Sequence, residues 1–544
     1  MRRFFLKMGL LLFISLLRLP LCAAVWQWSV PVRTGHPELP NARAYLWIPE
    51  HCKRVRAFIF GQNNMEEQSI LENASFRDQL ARMNIAEVWV SPAYDLSFNF
   101  AQGAGRMFDT LMCDLATASG YEELKTAPFI GIGHSAAASA PYNMAVWKPG
   151  RALAALSVSG QWPYFRDPKF APDIWGNGNL DFIPCLETMG EYEAADNWSA
   201  EGLKERQLHP YLPLSMLACP GEGHFAATQD KINFLAFYIK KVIRYRLPGS
   251  KGTSVLIPID PTKTGWLVGK WSRHDPSPVM AAPVRNYQGN RADAFWFFDR
   301  ETALKVVAYQ EKYRHLQIPL IGYLQGGKFI QQSPTHQQVE LKFQPLPDGI
   351  TFQVHAAFYD TVPGGSPRPV IWSEKKEGEL INHPARTDIT IGRITGPITQ
   401  LDENTFQVSP QLGFFPNPHS YEGWFAAVSR SDNYFKPVVQ QSLLRIPPIN
   451  KSGIPQHIDF PAIADVPRGT RSVHISASSD AGLPVGFYIA EGPAEIKNGS
   501  ICLTLIPPSA RYPVKVTVVA WQYGHSNEPK IQTADPVLRT FWIK

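Results

Sequence analysis

The sequence predicts an α/β fold, a mostly parallel sheet with helices on both faces, followed by all-β sandwich domains. Three observations carry this. Residues 25–247 alternate short apolar runs with segments of helical spacing, the pattern of buried strands joined by helical crossovers. From about residue 331 the chain becomes short alternating runs broken by turn residues, as in a β-sandwich. The final stretch from residue 448 packs six such runs, from QHIDFPAI to VLRTFWIK, at immunoglobulin-like density.

In chain order, VWQWSVPV, RAYLWIP and VRAFIFG read as strands, and ILENASFRDQLARMN as helix. AEVWVSP is a strand, GRMFDTLMCDLATASG a helix and APFIGIG a short buried strand. LAALSVSG, FIPCLETMG and LPLSMLACP are further strands. QDKINFLAFYIKKVIRYRL is a long helix with cations in its last turns, where the helix dipole favours them. Residues 248–330 read as a mixed connector with one helix within RADAFWFFDRETALKVVAYQEKYR. Residues 331–447 and 448–544 form the two β units; Pro-Asp-Gly separates two runs in QVELKFQPLPDGITFQVHAAF.

Residues 1–24 have a basic start, an apolar middle and a small-residue exit. This is the pattern of a secretory signal peptide cut after Ala24, and it predicts a secreted or periplasmic protein. Bulky Leu21 argues against lipid attachment at Cys22. The segment carries Arg2, Arg3, Lys7 and Arg18 and no acid, so its removal takes the net charge from +6 to +2. A nearly neutral chain gives no reason to invoke nucleic acid, and no later run is apolar enough for a transmembrane helix. Cys52, Cys113, Cys185, Cys219 and Cys502 are scattered and odd in number, which predicts mostly buried free thiols.

The chemistry centres on GHSAA, Gly133–Ala137. It fits a G-x-S-x-G nucleophile elbow with Ala137 in the last position, where strand, turn and helix pass nearly in contact and need small residues. A serine hydroxyl needs a base, usually histidine, and the imidazole needs a carboxylate to set its tautomer. His224, in GEGHF between the last strand and the last helix, is the candidate base. His134 points away from such an elbow, and His209 comes before the strand. After the strand ending at Gly190, Glu193 is the candidate acid and Glu191 its rival. An oxyanion needs N–H donors: Ala136, directly after the serine, and Gln62 or Asn63 in FGQNNMEEQ. The insertion 160–182 carries Trp162 and Trp175 at the carboxyl ends of the strands, where such sheets bind ligands. The alternatives there are a sugar-binding wall and a hydrophobic mini-core.

On GHSAA, GEYE and GEGHF in that order, residues 25–247 resemble the α/β-hydrolase superfamily. The whole layout resembles secreted bacterial α/β-hydrolase proteins of polysaccharide-degrading systems with a C-terminal immunoglobulin-like module. The resemblance implies a serine esterase removing acetyl or methyl groups from polysaccharides through Ser135, His224 and Glu193, without a cofactor. Ala137 for glycine and glutamate for aspartate are departures. No H-E-x-x-H, CxxC pair or phosphate loop is present. The alternatives are a catalytically inactive carbohydrate-binding platform and a peptidase on the same scaffold.

Overall fold

A computed structural model describes residues 25–33, 42–165, 173–249, 255–333, 338–385, 389–413, 422–447 and 449–544. The expected signal peptide lies outside them, as do residues 166–172 of the aromatic insertion. The N-terminal region is built on strands β1 (Trp28–Pro31), β2 (Arg43–Trp47), β3 (Ala57–Gln62), β4 (Ile85–Ser91), β5 (Phe129–His134), β6 (Ala152–Val158), β7 (Cys185–Gly190) and β8 (Leu214–Cys219). They lie in the order β1-β2-β4-β3-β5-β6-β7-β8. β1, β2 and β4 pair antiparallel, and every pair from β4 through β8 is parallel. All residues of β3 to β8 are buried, because helices cover both faces.

The helices are α1 (Glu67–Leu71), α2 (Ala74–Ala81), α3 (Ala104–Ser119), α4 (Ala140–Trp147), α5 (Ala195–Leu208) and α6 (Gln229–Arg246). The single helix expected over ILENASFRDQLARMN is broken in two, since the Asn73 side chain accepts from Phe76 N–H and starts α2 afresh. Thr228 caps α6 in the same way, with Arg244 and Arg246 in its last turn. Among the described residues no helix is long and apolar enough to cross a membrane. The five cysteines among the described residues are free; Cys52, Cys185 and Cys219 are buried.

The expected connector divides between two cores. Leu256, Leu267, Trp296 and Val306 join the buried cluster of the eight-stranded sheet, because the run Phe295–Phe298 has to be covered and the Ser215 hydroxyl donates to Trp296 O. Leu320, Ile321 and Tyr323 belong instead to a second cluster with Phe352, Phe406 and Phe425. That cluster fills a sandwich whose main four-stranded sheet includes Val339–Lys342 and Val438–Arg445. The two runs flanking Pro-Asp-Gly part company. Val339–Lys342 pairs with Val438–Arg445 and Thr351–Gln353 with Thr405–Val408, in opposite sheets. Residues from Ile458 onward enclose a third core around Ile501, Val516, Val518 and Phe541 between small antiparallel sheets.

Candidate active site

Ser135 follows β5 directly and has φ +54°, a left-handed conformation that a non-glycine residue holds only under constraint. The crowding explains its small neighbours. A Cβ on Gly133 would stand 2.0 Å from Ala137 O, and one on Gly160 would meet Ala138 Cβ at 1.9 Å. Gly133→Ala is therefore expected to lower stability by about 1–3 kcal/mol, as overpacking does, read by the urea midpoint. Unchanged stability would mean that the turn relaxes freely.

The structure brings Ser135, His224 and Glu193 together. With the imidazole proton on Nδ1, His224 donates to Glu193 Oε1 at 2.5 Å and accepts from the Ser135 hydroxyl on Nε2 at 2.8 Å. Burial by itself would depress the His224 imidazole; the charge and hydrogen bond of Glu193, with Glu66 farther off, outweigh it and hold it above its usual value. His134 is fully buried, and its Nε2–H donates to His224 O at 2.8 Å, so it braces the loop that carries His224. Burial, then the neighbouring His224, pushes its pKa well below normal and leaves it neutral.

Glu191 stands apart from the imidazole. Its fully buried Oε1 accepts from Arg273 Nε and Lys436 Nζ, each at 2.8 Å, and its Oε2 from Gly221 N–H at 2.8 Å. Burial would raise this carboxyl, but the two cations outweigh it and hold it below the ordinary range. His209 stacks on Tyr164 at 3.4 Å, away from the serine.

The oxyanion expectation needs correction. Ala136 lies in the 3-10 turn Ser135–Ala137, ahead of its first bond, Ala138 N–H to Ser135 O; such early N–H groups have no partner within the turn. Asn63 N–H, however, donates to Val90 O at 2.7 Å, because the ladder runs past the end of β3. Gln62 lies inside β3 and is buried; its amide donates to Asp95 O and accepts from Tyr94 and Asp95 N–H. The side-chain amides of the same loop differ. Asn64 Nδ2 donates to His134 O at 2.9 Å. Asn63 Oδ1 accepts from Trp89 Nε1 at 3.3 Å, and its Nδ2 has no acceptor among the described residues.

Sequence reasoning missed Glu67. Its carboxylate is fully buried and accepts N–H groups from Asn64 and Met65 at 2.9 Å and from His134 at 2.7 Å, fastening this loop to the serine turn. Burial, partly offset by those donors, raises its pKa to about 7. The signal was available: an Glu66-Glu67 pair opening a short apolar helix. Glu66 is buried too, beside Lys231 at 3.5 Å, and Lys231 reaches Glu222 at 3.4 Å.

Trp162 and Trp175 form no wall facing a ligand. Trp162 is 1% exposed, stacks on Phe295 and donates to Trp198 O; Trp175 is 7% exposed and donates to Asn143 Oδ1. Trp162 turns inward because Gly202 on α5 lets that helix close on it. Trp162→Ala is thus expected to cost about 3–5 kcal/mol of stability while KM for a soluble ester stays unchanged; a raised KM in a stable variant would restore the substrate role. Among the described residues no group of three or more His, Cys, Asp or Glu is gathered as metal ligands.

No protein-family model matches the sequence, and no curated protein matches it. Solved structures similar to the chain include dienelactone hydrolase from Anabaena variabilis, at TM-score 0.28 and 13% identity over 40% of this chain and 96% of that one. Est1E from Butyrivibrio proteoclasticus matches at TM-score 0.27 and 14% identity, over 37% and 95%. FphF, a fluorophosphonate-binding serine hydrolase of Staphylococcus aureus, matches at TM-score 0.27 and 10% identity, over 40% and 96%. The eight-stranded, mostly parallel sheet with its serine turn directly after the fifth strand makes the N-terminal region α/β-hydrolase-like in fold.

Proposed function

We propose that this protein hydrolyses carboxylic esters by acyl transfer through Ser135. The observation that carries the reading is the continuous chain from the Ser135 hydroxyl through the His224 imidazole to the Glu193 carboxylate. Ser135 Oγ attacks the ester carbonyl carbon as His224 Nε2 takes its proton. The tetrahedral oxyanion rests on Ala136 N–H and the Asn63 side-chain amide. As the C–O bond breaks, His224 returns the proton to the departing alcohol, leaving an acyl-serine. Water, deprotonated by the same imidazole, then releases the acid and restores Ser135.

Acetyl and methyl esters of polysaccharides are the substrate class favoured by the signal-like leader and the two appended β units, and a secreted or periplasmic location goes with it. That preference rests on layout alone, since the tryptophans expected to hold sugar are buried. The test is acid release from small aryl acetates and from acetylated and methylated polysaccharides, together with fluorophosphonate labelling. Labelling at Ser135 with turnover upholds the reading; no labelling and no released acid from any ester would return the chain to a non-catalytic binding role.

A further inference from the structure

Glu193 and His224 ride on two separate loops, and one short segment of the sandwich touches both. The acid turn is pinned from the sandwich side at two successive residues. Tyr192 is fully buried within the sandwich core. Its hydroxyl donates to Pro437 O at 2.8 Å, and the Trp372 indole N–H donates to its carbonyl. Glu191 binds Lys436 Nζ at 2.8 Å. The base loop meets the same segment: a Cβ on Gly221 would stand 2.4 Å from Pro437 Cγ, and one on Gly223 would stand 3.0 Å from Val439 Cγ1. The loops are also tied to each other, Gly221 N–H to Glu191 Oε2 and Tyr192 N–H to Glu222 O. Lys436–Val439 leads into the buried strand Val438–Arg445 and is itself held: Lys436 N–H donates to Gln317 O at 2.8 Å, and Val438 and Val439 pair with Ser429 and Val428.

We propose that Lys436–Val439 is a positioning element that sets the Glu193–His224 contact, which makes the β-sandwich an integral part of the catalytic apparatus. The kinetic side of this inference rests on the ester-hydrolase reading. Its physical basis is that a carboxylate fixes an imidazole only if the two loops keep their separation, and a displacement of about 1 Å can cost roughly a hundredfold in rate. The groups facing His224 are Glu193, Glu66, Lys231 and neutral His134. Of these only Glu193 sits on the clamped turn; Glu66 precedes α1 and Lys231 is on α6.

The test uses the full-length chain with Tyr192→Phe, Lys436→Met and the double substitution. Lys241→Met is the control: it removes another buried ammonium, paired with Asp299 and Glu301, nearly three turns along α6 from Lys231. The His224 titration is read by NMR of the histidine-labelled protein, assigned with His224→Gln, alongside kcat and KM for an aryl acetate. In the double variant we expect the imidazole midpoint to fall by about one pH unit, the size of a typical charge-partner effect, and kcat to fall roughly 10- to 100-fold with KM unchanged. Lys241→Met should move neither. A folded Tyr192→Phe or Lys436→Met protein with wild-type titration and kcat would overturn the proposal; if Lys436→Met fails to fold, Tyr192→Phe, which removes one oxygen, decides it. A wild-type chain that hydrolyses no ester and takes no fluorophosphonate would sink the ester-hydrolase reading, and the titration would still decide the clamp.

Discussion

Replacing Ser135 by alanine is expected to cut ester hydrolysis by roughly 10⁴- to 10⁶-fold, the range seen when a triad nucleophile is removed. Fluorophosphonate labelling should disappear with it. The loss should come almost entirely in kcat, because the hydroxyl makes its decisive interaction in the transition state. Folding should be preserved or improved, since alanine removes a hydroxyl from a half-exposed turn and leaves the Gly133–Ala137 approach untouched. The check is active-site labelling, steady-state kinetics and thermal unfolding on one preparation. Retained turnover in a homogeneous Ser135→Ala sample would place the reaction elsewhere on the protein.

The second large effect is expected from Glu193→Gln, a fall of roughly 10³- to 10⁴-fold in kcat. The sign of the accompanying pH change follows from the site. His224 works as a base only when neutral, so activity rises with pH through its pKa and is lost below it. That pKa is raised because the pull of Glu193 exceeds the burial that opposes it. The neutral amide removes the pull, so the acidic limb of kcat/KM should move to lower pH even as the plateau drops. Glutamine can also present its N–H₂ to Nδ1 and favour the wrong tautomer, leaving Nε2 protonated against the serine hydroxyl. A limb that stays in place would mean that Glu193 does not set the imidazole. Glu191→Gln should behave differently: it leaves two cations, Arg273 and Lys436, without their shared carboxylate, which costs stability, and it loosens the clamp, so kcat should fall by the roughly 10- to 100-fold expected of the clamp variants and not by the larger factor of Glu193→Gln.

Much of this was legible along the chain. The eight strands and the long terminal helix follow from apolar runs and periodicity, and the serine turn from a cluster of residues too small to collide. His224 could be picked from its place after the last strand. Glu193 and Glu191, two residues apart on one turn, could not be separated that way. The groups that occupy Glu191, Arg273 and Lys436, lie 82 and 245 residues downstream. Tryptophans in a Gly- and Pro-rich insertion likewise carry no sign of which way they face; Trp162 turns inward because a helix with Gly202 closes on it. The Asn63 backbone N–H could pass as an oxyanion donor along the chain, yet the ladder continues to Val90 and occupies it.

What the amino-acid order determined by itself is local: which segments become strand or helix, where a strained turn is sterically possible, and which side-chain chemistries occur in the order Ser, Glu, His. Those depend on neighbours within a few residues. The tertiary structure decided which of two carboxylates meets the imidazole, which N–H groups stay free, and that the connector and sandwich close around the acid turn. Each of these depends on charges, burial and hydrogen-bond partners supplied by segments tens to hundreds of residues away, whose approach is fixed only when the cores pack.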